Sequence, residues 1–119
     1  MKINSWKDIW KGPFWTDTYG WVYDVDSIPV FTADNLVEDN DEFINTLTDN
    51  IVEVLNGKEP SKKYHGFEIK NGCDIYIDDV CIGYFRGWGH MRGNLKLSSE
   101  EAAKYQDEMI EFILNKLCN

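Results

Sequence analysis

The sequence predicts an α+β domain: an antiparallel sheet of about four to five strands with two helices packed on one face, in the order ββ-α-βββ-α. Three observations carry this expectation. Residues 39–56 and 98–117 repeat apolar side chains at helical spacing. Residues 14–32 and 67–84 instead alternate, broken by Asp-Ser, Asn-Gly and Asp-Asp pairs suited to turns. At 119 residues, 43% hydrophobic and 14% aromatic, the chain can bury one core and is read as a single domain, 1–119.

Residues 3–13 form an aromatic lead-in. Trp6 and Trp10 are four apart and would share the face of a helical turn, which Gly12-Pro13 would stop. In the following strand, Trp21, Tyr23 and Val25 alternate with Val22, Asp24 and Asp26, the pattern of a half-buried strand. Asp26-Ser27 turns into a second strand, 28–32, where Pro29 lacks a donor and suggests a sheet edge. The first helix, 39–56, takes Asp39, Asn40 and Asp41 as cap candidates. Its buried stripe is Phe43, Leu47, Ile51, Val54 and Leu55, widened by Ile44 and Val52, and Asn56-Gly57 ends it. A polar connection, 58–63, follows. A three-residue loop at Lys70-Asn71-Gly72 would place Phe67 and Ile69 on the face of Cys73, Ile75 and Ile77, whereas a two-residue loop would mix apolar and charged residues. After Asp78-Asp79, Val80, Ile82 and Tyr84 would continue that face. Ser98 with Glu101 is a capping box opening the last helix, whose stripe runs through Ala102, Ala103, Gln106, Met109, Ile110, Ile113 and Leu117.

The charge is unevenly placed. Between Gly12 and Gly57 there is no Lys or Arg, but there are ten carboxylates: Asp17, Asp24, Asp26, Asp34, Glu38, Asp39, Asp41, Glu42, Asp49 and Glu53. The rest is nearly neutral, so this stretch accounts for the net charge of −9. Charge segregated in sequence predicts one strongly negative face, repelling nucleic acid and attracting basic protein surfaces. No apolar run approaches the roughly 18 residues of a membrane span. Residues 1–8 lack the apolar stretch of a signal peptide. Cys73, Cys81 and Cys118 are an odd number at spacings that suggest no disulfide framework, which points to a reducing, cytoplasmic setting.

Candidate chemistry is sparse. Arg86-Gly87-Trp88-Gly89-His90-Met91-Arg92-Gly93-Asn94 puts two arginines and a histidine in a glycine-rich loop. Such a loop could hold a phosphate or carboxylate. It has no P-loop or dinucleotide fingerprint, and a glycine-hinged connection with Trp88 on the core is the plainer account. His65, His90, Cys73 and Cys81 lack metal-ligand spacing, and the acids lack a calcium-loop pattern, so no metal or cofactor is expected. No nucleophile–base pattern points to an enzyme. Trp6, Trp10, Trp15 and Trp21 either fill the core or, in part, anchor a partner.

The segment Phe85-Arg86-Gly87-Trp88-Gly89, followed by Leu97-Ser98-Ser99-Glu100-Glu101-Ala102-Ala103-Lys104-Tyr105-Gln106-Asp107, resembles a pattern in a group of small phage and prophage proteins. There an RGWG strand end precedes an LSxEEAAxxQD helix start. Lys11-Gly12-Pro13-Phe14 and the unit ending in Leu55-Asn56-Gly57 also fit. His90 and Met91 depart from the pattern. The resemblance brings no catalytic residue; it implies a small accessory protein made inside a bacterial cell, of the kind that disables host proteins, anti-CRISPR and other anti-defence proteins among them. The expectation is therefore a non-enzymatic binding protein. Asp34, Glu38, Asp39, Asp41 and Glu42 would dock on a basic, nucleic-acid-binding host protein, without direct nucleic-acid or membrane contact. The alternatives are a module for an anionic ligand such as a nucleotide, held by Arg86, Trp88, His90 and Arg92, and a homodimeric or larger structural accessory protein.

Overall fold

The lead-in is a single 3₁₀ turn, Trp6–Asp8, closed by side chains on both sides: Ser5 Oγ accepts from Lys7 N, and Asp8 Oδ2 accepts from Ser5 N. The turn buries both Trp6 and Trp10. The computed structural model describes residues 3–17, 19–33, 41–86 and 97–118, with the side chain of Asp41 left outside them. After the turn come β1 (Trp15–Thr16), β2 (Trp21–Tyr23), β3 (Pro29–Ala33), α1 (Asp41–Leu55), β4 (Phe67–Lys70), β5 (Asp74–Ile77), β6 (Val80–Phe85) and α2 (Ser99–Cys118). The strands form one antiparallel sheet in the order β1-β2-β3-β6-β5-β4. This is the expected α+β architecture with one strand more: Trp15 and Thr16 pair back on Tyr23 and Val22. No helix among the described residues is long and apolar enough to cross a membrane.

Two β-bulges decide which side of the sheet is core. In β2–β3 the register passes from Val22↔Phe31 to Tyr23↔Pro29, so Val30 is an extra residue. In β5–β6 it passes from Tyr76↔Cys81 to Ile75↔Gly83, so Ile82 is the extra one. An inserted residue reverses the alternation beyond it. Ile82 and Phe85 are therefore both buried, while Tyr84, expected beside Ile82, pairs with Thr32 and Asp74 on the other face. Pro29 is not on an edge, since β3 lies between β2 and β6. It is the first residue of its strand, beside a bulge, where a missing N–H breaks no ladder.

The β4–β5 loop is Asn71-Gly72-Cys73, because Lys70 pairs with Asp74. That differs from the expected loop by one position, which moves the pairing by two and leaves Phe67, Ile69, Ile75 and Ile77 on a common face. Cys73 consequently sits in the turn, packed against the core margin. Asp78 and Asp79 form the expected two-residue turn, with φ of 50° and 65°.

Both helices cover the core face. Leu47, Ile51 and Val54 of α1 and Met109, Ile113 and Leu117 of α2 close over Val22, Phe31, Ile75 and Phe85. The α2 capping box forms as its residues predict: Glu101 N donates to Ser98 Oγ at 3.1 Å, and Ser98 N to Glu101 Oε1 at 3.4 Å. The α1 cap candidates Asp39 and Asn40 lie outside the described residues, whereas Gly57 ends α1 with φ of 82°. Trp6 packs on Phe112 at 5.4 Å between ring centroids, and the Asn56 amide exchanges two hydrogen bonds with the backbone of Phe14.

The tightest approach is at Gly83, where a Cβ would lie 2.4 Å from Phe31 Cζ and 2.8 Å from Thr32 O. Overpacking against a strand backbone cannot be relieved by a rotamer change. Gly83→Ala is therefore expected to lower the unfolding free energy by about 2 kcal/mol or more, read as an earlier midpoint in urea. A midpoint like wild type would mean that β3 and β6 are not so closely apposed.

Candidate protein-binding surface

The face turned away from the helices carries a row of aromatic rings. Val22 points into the core, so Trp21 and Tyr23 point outward, and the cross-strand partner of Tyr23 is Trp15. Trp15 stacks on Tyr23 at 4.5 Å between centroids and 26° between planes. Tyr23 in turn lies 6.3 Å from Trp21 at 13°. Arg86, two residues after the outward Tyr84, sets its guanidinium carbon 5.0 Å from the Trp21 ring centroid. The end ring is held in place, since Trp15 Nε1 donates to the carbonyl of Asp24 at 3.0 Å. Among the described residues, three of the four exposed large hydrophobics fall in this one hairpin region: Trp15 (41%), Tyr19 (83%) and Val25 (45%), the fourth being Val80. Clustered exposure of this kind marks an interaction surface better than scattered apolar residues do.

Asp17 organises the β1–β2 loop beneath the row. Its Oδ1 accepts from Tyr19 N at 2.8 Å and Trp21 N at 3.3 Å, and its Oδ2 accepts from the Tyr23 hydroxyl at 2.9 Å. Burial works against ionisation of Asp17, but the bonds from Tyr19, Tyr23 and Trp21 together outweigh it and hold the carboxyl below its ordinary value of 3.8. Tyr23 is pushed above 10.0, first by burial and then by its bond to the Asp17 carboxylate and that group's charge. The loop packs on the first turns of α1: Gly20, at φ 88°, takes a left-handed backbone, and a Cβ there would lie 3.1 Å from Ala33 Cβ and 3.4 Å from Ile44 Cγ2. Ala33 N also donates to Gly20 O at 2.7 Å. Ala33 at the end of β3 and Ile44 in the first turn of α1 therefore lie beside this loop.

Among the described residues, the acids of this stretch do not share one face. Asp24 is fully buried, accepting at Oδ1 from Asp26 N and Ile28 N to close the β2–β3 turn. Asp17 belongs to the open sheet face. Glu42, Asp49 and Glu53, at helical spacing, lie on the outward side of α1, where Glu53 accepts from Ser61 Oγ. A helix laid on one face of a sheet turns its solvent side away from the other face, so the two layers divide the charge. Of the docking residues expected from sequence, Glu42 is exposed with no ion-pair partner among the described residues. Asp41 opens α1, and Asp34, Glu38 and Asp39 lie outside the described residues. Of the anion-binding alternative only Arg86 is described, with its Nε buried and without an acceptor. Trp88, His90 and Arg92 lie outside.

The tryptophans split. Trp6 and Trp10 are core, whereas Trp15 and Trp21 belong to the surface row. The expected alternation of this strand is present, with Val22 and Asp24 inside and Trp21 and Tyr23 outward. Trp15 and Trp21 were among the tryptophans read as either core or partner anchors, whereas Tyr19, Tyr23 and Asp17 were not singled out as part of a site. The available signal was an aromatic residue on each side of the Asp17–Gly20 turn, at positions able to pair. Among the described residues no three His, Cys, Asp or Glu converge as a metal site. Comparison with family models, curated proteins and solved structures returns no match, so the surface is interpreted on its own chemistry.

The Asp17 linkage has a definite sign. A carboxyl with a lowered folded pKa stabilises the fold fully above its unfolded value, and that contribution is lost as pH falls through the folded value. Asp17→Ala is expected to melt earlier than wild type at neutral pH, and the gap should close as pH drops below 3.8. Urea midpoints measured across that range check it; a gap that persists unchanged in acid would contradict the role given to the charge.

Proposed function

We propose that the protein is a non-enzymatic binding protein that docks on a basic surface of a nucleic-acid-binding host protein and inhibits it by occupying the groove meant for nucleic acid. One observation carries the reading. An outward-facing, braced row of aromatic rings stands in a segment that has ten carboxylates and no base in sequence from Gly12 to Gly57. Trp and Tyr anchors are the side chains that carry binding energy at protein interfaces, and uncompensated carboxylates steer basic partners toward them. The same charge repels nucleic acid itself, whose binding needs cationic contacts. A bacterial cytoplasmic setting and a phage-type role against a defence effector such as a CRISPR nuclease accord with this chemistry, since nucleic-acid channels are basic.

The test is capture of a basic nucleic-acid-binding protein from bacterial lysate, followed by affinity measurement from about 50 to about 500 mM salt. Affinity is expected to fall by about tenfold or more over that range, and to fall again with Glu42→Lys combined with Glu38→Lys and Asp39→Lys. Glu111→Lys, on the exposed side of α2, should change it little. Competition by nucleic acid is the accompanying sign. Binding that is indifferent to salt and to these reversals would overturn the electrostatic docking.

A further inference from the structure

We infer that the end of the aromatic row, the exposed ring of Trp15, receives an arginine side chain of the basic partner. This inference rests on the docking reading above and adds to it the chemical group that is recognised. The row already shows how it takes a guanidinium: Arg86 lies over Trp21 at 5.0 Å, next to Tyr23 and then Trp15. Trp15 is the terminal ring, on an edge strand. Tyr23 stacks against one side of its indole, and 41% of the residue is exposed.

Three features favour arginine over other ligands. Indole is the aromatic side chain that attracts cations most strongly, and a planar, weakly hydrated guanidinium stacks on it better than an ammonium does. The ring is held before binding by Tyr23 and by its own N–H bond to Asp24 O, so little freedom remains to be lost. The charge is also of the right sign: the Asp17 carboxylate, bonded to the Tyr23 hydroxyl, lies beside the row. A phosphate or carboxylate brought to the same ring would meet that field unfavourably.

The experiment compares a blocked arginine nonapeptide with a lysine nonapeptide at one ionic strength, following the indole N–H resonance of Trp15, assigned through Trp15→Ala. The arginine peptide is expected to bind at least about fivefold more tightly and to shift that resonance. Trp15→Ala should bind both peptides equally, and Trp15→Phe should recover part of the preference. The wild-type comparison and Trp15→Phe decide the matter even where the alanine variant is unstable. Equal affinities in wild type, or a preference that survives Trp15→Ala, would overturn the inference while leaving charge-driven docking standing. Failure of both peptides to bind would overturn docking as well. A Trp15 shift with ATP and none with the arginine peptide would overturn the inference in favour of an anionic ligand.

Discussion

Where β3 lies against β6, the sheet has room for a single large side chain. Phe31 fills that space because Gly83 has no Cβ, and Phe31 pairs with Phe85 so that their rings meet at 5.1 Å. This contact sits at the centre of the six strands and fixes the core side of the sheet. Once Phe31 and Phe85 point toward the helices, the alternation of β2 and β6 requires Trp21, Tyr84 and Arg86 to project to the other side. The bulges at Val30 and Ile82 are what reconcile this parity with the burial of the residues on either side of them. The aromatic row is thus a consequence of core packing on the opposite face.

An aromatic surface in water invites aggregation unless it is constrained and guarded. Here each ring has a defined neighbour, and the loop beneath is held by three hydrogen bonds to one carboxylate, Asp17. Short edge strands give a second copy little ladder to extend: β1 has two residues and β4 has four. Lys70 over the Tyr76 ring at 4.5 Å shows the same pairing of cation and aromatic toward the other edge. Cation–ring contacts thus occur toward both ends of the sheet, with the terminal indole of Trp15 exposed.

The legible parts of the fold were those governed by local rules. The α2 capping box, the helical stripes of α1 and α2, and the Asp78-Asp79 turn each depend on residues within a few positions of one another. The β4–β5 face survived a wrong loop boundary because a shift of pairing by two keeps side chains on the same side. What failed depended on distant or hidden partners. The inward side of β2 was not legible because Asp24 looks like a surface residue, although two backbone amides bond its buried carboxylate. Pro29 suggested an edge because the adjacent bulge is invisible in sequence. Tyr84 was misplaced for the same reason, one extra residue having reversed the alternation. Arg86 and Trp21 were each singled out in the sequence, for an anion loop and as core or anchor, but not their contact across sixty-five positions of the chain. The acidic stretch was legible as composition but not as geometry: among its described residues, Asp24 is buried in a turn, and Asp17 and the α1 carboxylates belong to different layers.

The central claim is that the aromatic row on the open sheet face takes part in meeting the partner. Hydroxyl-radical footprinting of the protein alone and in complex with a captured basic protein tests it most directly. Trp15 and Tyr19 should oxidise readily in the free protein and be protected in the complex, with Trp6 and Trp10 unreactive in both because the core encloses them. Unchanged oxidation of Trp15 and Tyr19, with protection confined to the outward side of α2, would contradict the account.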